Sequence, residues 1–146
     1  MIDNNSEKKQ KPFGKLTVKI ASFSFLRAGV PDDKSGNGGG FVFDCRSLPN
    51  PGRYERYKAL NGKDQPVIEF LEKEKTVTDF LENTYRLVKP SIDKYLERNF
   101  DSLMVSYGCT GGQHRSVYFA EKLAAIIAAN YNIKIEINHY QRKIDC

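Results

Sequence analysis

The chain has no tryptophan, two methionines and two histidines. Its three cysteines, Cys45, Cys109 and Cys146, include no Cys-x-x-Cys pair. That composition suggests neither a zinc site nor a disulfide framework. Unpaired thiols fit a reducing compartment, so the cytoplasm is expected. The N-terminus lacks an apolar signal core, and no apolar run approaches the roughly 18 residues of a membrane span. Neither secretion nor a membrane partner is expected. A Gly-rich segment runs from Gly29 to Gly40, but no helix pattern follows it, so it reads as a mobile loop and not a dinucleotide fingerprint. There is no Gly-x4-Gly-Lys-Ser/Thr run and no internal repeat. Excess charge is modest, with 23 Lys and Arg against 18 Asp and Glu, a net of +5.

What is present describes one α/β domain. The 146 residues are 40% hydrophobic and 28% charged, enough for a core without covalent staples. Residues 1–15 are polar and Lys-rich and read as a disordered tail. Residues 16–140 form the domain, and residues 141–146 a short second tail. Leu16–Ser22 alternates, with Leu16, Val18 and Ile20 facing inward, and Phe41–Asp44 is a second short strand. Residues 46–65 form a long connection punctuated by Pro49, Pro51 and Asn61-Gly62, and long connections are often functional.

Pro66–Glu74 reads as a short helix. Thr76 with Asp79 resembles a capping box opening a longer helix, and Pro90 predicts a kink or break within it. Val77, Phe80, Leu81, Tyr85, Val88, Ile92 and Leu96 would share its packed face. Ser102–Tyr107 is a third strand, Ser116–Asn130 a helix, and Ile133, Ile135 and Ile137 mark a half-exposed fourth strand. The expected architecture is an open, mostly parallel sheet of about four strands with helices packed on it. Ligands of such sheets bind outside the carboxyl ends of the strands.

The segment Cys109-Thr110-Gly111-Gly112-Gln113-His114-Arg115-Ser116 falls there, between a strand and a helix. A helix N-terminus offers unpaired N–H groups and about half a positive charge. Two glycines let the backbone form an anion-binding nest. Arg115 adds a guanidinium fork, Thr110 and Ser116 add hydroxyls, and His114 adds a donor that charges near neutral pH. No acid lies in the segment. An anionic ligand is expected, against the plainer alternative of a tight structural turn.

Cys109, five residues and Arg115-Ser116 also resemble the phosphate loop of cysteine-dependent phosphatases, where a thiolate attacks phosphorus. In that reading Cys109 and Arg115 are catalytic, and the general acid comes from Asp32, Asp33 or Asp64. In the alternative, Cys109 is a small buried hydrophobe. At the end of the second strand, Asp44 and Arg46 would either hold a sugar and its phosphate or form an ion pair that fixes the loop.

Gly108–Ser116 with VYFAEKLA after it, FVFDCRSLPNP at 41–51, SFSF at 22–25 and GKDQPV at 62–67 together resemble the C-terminal domain of the RNase adapter protein RapZ family. The likeness runs from about Val18 to His139. It implies a sensor of glucosamine-6-phosphate that also binds a small regulatory RNA, with no cofactor and no metal. By position it makes Cys109, Thr110, Gly111, Gly112, His114, Arg115 and Ser116 the ligand loop, joined by Asp44 and Arg46. Gln113 stands in the loop where the family usually has Lys or Arg, and Gly52 where it often has His. The P-loop motif of the family's ATPase domain is not among these 146 residues, so the chain would be either a free-standing sensor or part of a longer protein, and the family's basic tail is shortened to residues 141–146. A plain RNA-binding domain would instead use the N-terminal tail, Arg53, Arg56, Lys58 and Arg142-Lys143. A protein partner and pairing with a second copy stay open.

Overall fold

The computed structural model describes residues 14–140; residues 1–13 of the predicted N-terminal tail and all of the C-terminal one, with Arg142, Lys143 and Cys146, lie outside the described residues. Four strands form one sheet: β1 (Thr17–Ser24), β2 (Phe41–Asp44), β3 (Ser102–Cys109) and β4 (Lys134–His139). Their order is β2-β3-β1-β4, and every pairing is parallel. Three helices pack on it: α1 (Gln65–Glu72), α2 (Lys75–Glu97) and α3 (Arg115–Asn130).

The alternation in β1 is what assembles the core. Leu16, Val18 and Ile20 are buried, and the register sets Val18 between Leu103 and Ile135 and Ile20 between Val105 and Ile137. These side chains meet Val67, Leu71, Val77, Val88, Ile92, Phe119 and Leu123 from the helices in one cluster. All eight residues of β3 are buried, as a central parallel strand requires. The opposite face of the sheet carries the Gly-rich segment. There Asn37 Nδ2 donates to Ser102 O at 3.0 Å, and Gly40 lies against the Met104 carbonyl.

The capping box does not form, and the break allowed at Pro90 does not occur. The long helix begins at Lys75 with Glu74 at its N-cap and no side-chain cap. Thr76 is not the cap: Asp79 is spent on Lys75, whose Nζ donates to it at 2.8 Å, so no box forms. Nor does Pro90 break the helix, which runs unbroken to Glu97. Pro90 lies on the exposed side with Arg86, whose carbonyl cannot bond to the proline nitrogen.

Two buried polar links cross between layers. Thr84 on α2 donates to Leu81 O at 3.0 Å, so its oxygen accepts the Tyr107 hydroxyl of β3 at 2.7 Å. His139 on β4 donates from Nε2 to the Glu121 carboxylate of α3 at 2.7 Å, which leaves Nδ1 to accept the Ser22 hydroxyl at 2.5 Å. Tyr107→Phe removes the first link without opening a cavity. It should cost about 1 kcal/mol in urea denaturation, the usual worth of one net hydrogen bond.

Candidate functional site

The carboxyl ends of β1, β2 and β3 lie side by side, because all three run the same way in register. Out of β3 the chain turns through Thr110–His114 into α3. Gly112 has φ +69°, a left-handed conformation that favours glycine. At Gly111 a Cβ would meet nothing within 4 Å, so that backbone faces open space. The loop is held below by Ser24, whose hydroxyl donates to Thr110 O at 2.5 Å. Gly112 N–H donates to Cys109 Sγ at 3.2 Å, and Ser116 Oγ lies 3.2 Å from the same sulfur.

Among the described residues no acceptor takes the main-chain N–H of Gly111, Gln113 or His114. These amides sit at the start of the 16-residue α3, the positive end of its dipole. Arg115 is buried at 4% exposure, and its Nε is buried without a partner. A cleft of about 400 Å³ lies over the loop, lined by Asn50, Gly52, Lys58, Cys109–Gly111 and Gln113–Arg115. No carboxylate is among those residues, and the size suits a small molecule. A second cleft of about 790 Å³ shares Asn50, Thr110 and Arg115 with it and adds Arg46, Arg53, Lys73 and one carboxylate, Glu74.

The long connection is strapped to the loop, and several expected ligand groups are what hold it. Gln113 Nε2 donates to Lys58 O at 2.8 Å and Leu60 O at 2.6 Å, and Gly62 N–H donates to Gln113 O at 3.0 Å. His114 Nε2 donates to Tyr57 O at 2.8 Å. Arg115 Nη1 donates to the carbonyls of Arg46 and Leu48 at 2.9 Å each, with Cys45 O at 3.5 Å. Its guanidinium is therefore half engaged in fixing the turn after β2, and not a free fork. Burial pushes the His114 imidazole below its ordinary pKa, aided by the neighbouring Arg115 charge. The neutral form is favoured, and the charging that the sequence suggested is moved to lower pH.

Ser116 is fully buried against Cys109, so its hydroxyl supports the loop from beneath. Asp44 and Arg46 form a bidentate pair, Nε to Oδ1 at 2.9 Å and Nη2 to Oδ2 at 2.8 Å. This hydrogen bonding holds the Asp44 carboxyl below its usual pKa range. Arg46 also lies over the Phe25 ring at 4.0 Å. That is the geometry of the structural alternative, although Arg46 still borders the second cleft.

None of the three candidate acids reaches the loop's cleft. Asp32 and Asp33 border a depression on the far face of the sheet, and Asp33 is occupied by Ser35 and Gly39. Asp64 precedes α1 and accepts the Asn61 N–H at 2.8 Å. Residues the sequence reading missed are Asn50, which accepts the Gly52 N–H at 2.9 Å and lines both clefts, and Cys45 beside the loop. The signal for Asn50 was its setting between Pro49 and Pro51, where an Asx turn is common.

A family model described as the RapZ C-terminal domain matches residues 16–143. Among similar curated proteins, a nucleotide-binding protein of Pseudothermotoga lettingae is 37% identical over 126 residues, covering 86% of this chain and 43% of that protein. A nucleotide-binding protein of Ralstonia nicotianae is 39% identical over 130 residues, 89% of this chain and 41% of its own length. One from Fervidobacterium nodosum is 39% identical over 133 residues, covering 91% and 44%. The chain thus spans about two fifths of the relatives it matches.

Two measurements check the strapping. A Cβ at Gly62 would fall 2.3 Å from His114 O and 2.4 Å from Tyr118 N, both rigid backbone. Gly62→Ala should cost about 1–3 kcal/mol by denaturant titration. For His114 the depressed pKa means the unfolded chain takes its proton first as pH falls. Its stabilising effect is full above about pH 6.5 and is lost on descent through the folded value. His114→Gln should therefore show a shallower loss of stability between about pH 7 and about pH 5.

Proposed function

From the chain's membership of the RapZ C-terminal domain family, a family of regulatory adapters, we propose that it is a cytoplasmic sensor of a phosphorylated amino sugar of the glucosamine-6-phosphate kind. Residues 16–140 are the sensing domain and residues 1–15 and 141–146 its tails. The observation that carries this reading is the set of three unspent amides beside the buried, half-unpartnered guanidinium of Arg115, in a cleft without carboxylates. Such a nest is complementary to a doubly negative phosphoryl group. Burial lowers the local dielectric and strengthens each of these contacts.

The sugar's own donors find acceptors at the rim. With Nε2 of His114 donating to Tyr57, Nδ1 is left as an acceptor, and Asn50 Oδ1 keeps a second lone pair. Hydroxyl or ammonium groups suit both. Thr110 is exposed and supplies a hydroxyl from the other side. Cys109, Gly112, Gln113 and Ser116 shape the loop, and Asp44 with Arg46 holds the turn that Arg115 reaches. No cofactor or metal takes part in this reading.

Hydrolysis by Cys109 is the weaker alternative. The Cys-x5-Arg-Ser geometry is present, with Gly112 N–H and Ser116 Oγ on the sulfur. A leaving alkoxide needs a proton, however, and no carboxylic acid lines the loop's cleft. Contact with a small RNA or a protein partner is the output side of the proposal. Arg53, Arg56 and Lys58 are exposed beside the cleft, and Arg56 stacks over Tyr54 and Tyr57 at 5.3 and 4.7 Å. A second copy is a further candidate partner.

Thermal denaturation tests the sensor. Glucosamine-6-phosphate at a hundredfold excess over its Kd should add about 2.7 kcal/mol, and glucosamine nothing comparable. Arg115→Lys, which keeps the charge and loses the planar fork, should abolish the shift. Equal shifts with glucosamine, or none with any sugar phosphate, would overturn the proposal.

A further inference from the structure

Two free thiols lie under the anion loop. Cys109 ends β3, and Cys45 follows the last residue of β2. Asp44 is paired with Gly108 in parallel register, and Cys45 N–H donates to Gly108 O at 2.8 Å. One further step in that register sets Cys45 opposite Cys109. Neighbouring strands lie about 4.8 Å apart. A disulfide accepts Cα separations of about 4.4–6.8 Å. Both residues belong to one core cluster, so both side chains point to the helix side of the sheet. Burial pushes the Cys45 thiol up.

Both thiols are buried, at 2% exposure for Cys109 and 0% for Cys45, but only Cys109 borders the cleft. We propose that Cys109 and Cys45 are an oxidisable pair that closes to a disulfide beneath the loop when a hydroperoxide enters the cleft. Cys109 sulfur attacks one peroxide oxygen. The S–O bond forms, the O–O bond breaks, and the thiol proton leaves with the other oxygen as water or an alcohol. Cys109 is then a sulfenic acid. The Cys45 sulfur attacks the Cys109 sulfur, the S–S bond forms, and the hydroxyl leaves with the Cys45 proton as water. Two electrons pass from the thiols to the peroxide. A dithiol reductant reverses the step by exchange.

The disulfide would act on the loop because the Cys109 sulfur is part of its scaffold. It accepts the Gly112 N–H and contacts Ser116 Oγ, each at 3.2 Å. Drawn towards Cys45, it gives up both contacts, and the nest loses its support. Cys45 O is also among the carbonyls near Arg115 Nη1, so the same movement disturbs the guanidinium. This consequence for ligands rests on the sensor reading; the disulfide itself does not.

The test uses the full chain carrying Cys146→Ser, treated with hydrogen peroxide, alkylated and peptide-mapped without reduction. A Cys45–Cys109 cross-link, lighter by two hydrogens and restored by dithiothreitol, is the expected result. Sulfinic or sulfonic acid at Cys109 with Cys45 still alkylated only after unfolding would overturn the pair, as would two intact thiols. Cys45→Val, which keeps a buried apolar group, should drive Cys109 to the higher acids. With inorganic phosphate as the probe, the thermal shift of the reduced protein should vanish in the cross-linked form and return on reduction. A cross-linked form that keeps its shift overturns the control of the loop. A reduced protein without any shift counts against the sensor reading, and the peptide map still decides the pair.

Discussion

A buried guanidinium carries the working end of this molecule. Arg115 belongs to the first turn of α3, yet its Nη1 reaches the carbonyls that close the turn after β2. Those carbonyls have no strand partner, and burying them unpaired would cost about 1–3 kcal/mol each. The charge in turn needs them, since an isolated buried cation is far more costly. The connection from Cys45 to Leu48 and the start of α3 are thus fixed to each other by mutual need. His114, Gln113 and Gly62 extend the same attachment further along the connection. What remains unspent is three loop amides and the Arg115 Nε.

The division of labour explains why so many polar residues occupy so short a segment. The Gln113 and Ser116 side chains hold the loop, while its unspent amides and the Thr110 hydroxyl are left for a ligand. A loop built this way is preorganised, so binding need not order it first. It also means that no residue in it is dispensable for shape. The phosphatase-like spacing follows from the same economy of space. A sulfur at the strand end, an amide over it and a hydroxyl one helical turn later make a floor on which either binding or covalent chemistry can be built. What separates the two is an acid, and the carboxylates that the sequence offered lie elsewhere.

The strands and the helix after the loop were legible because their signals are strong. Alternating Leu16, Val18 and Ile20, and a loop with adjacent glycines between β3 and α3, have few competing readings. The start of α2 was not legible, since Asp79 suits a capping box and an i,i+4 pair with Lys75 equally well, and the pair is what formed. Pro90 misled because its cost depends on which side of the helix it occupies, and that side is set by packing. The individual site residues were legible as a group and not in their separate roles. Nothing in the order of residues says that Gln113 turns inward to Lys58 and Leu60, or that Arg46 is taken by Asp44. The first of these depends on a connection more than 50 residues upstream of the loop folding back on it; the second is a contact between residues two apart.

Elsewhere in the fold, Ser22, His139 and Glu121 stand in line, hydroxyl to imidazole to carboxylate. Serine hydrolases use the same three groups to activate a nucleophile, with the hydroxyl on Nε2 and the carboxylate on Nδ1, the reverse of the attachment here. Ser22, however, is wholly enclosed between the sheet and α3. No ester or amide can approach its oxygen, so the relay ends in a wall. A template built only on interatomic spacing would find a protease here. Enclosure turns the same three groups into a rivet between β1, β4 and α3, and whether a constellation reacts is decided by the doorway as much as by the distances.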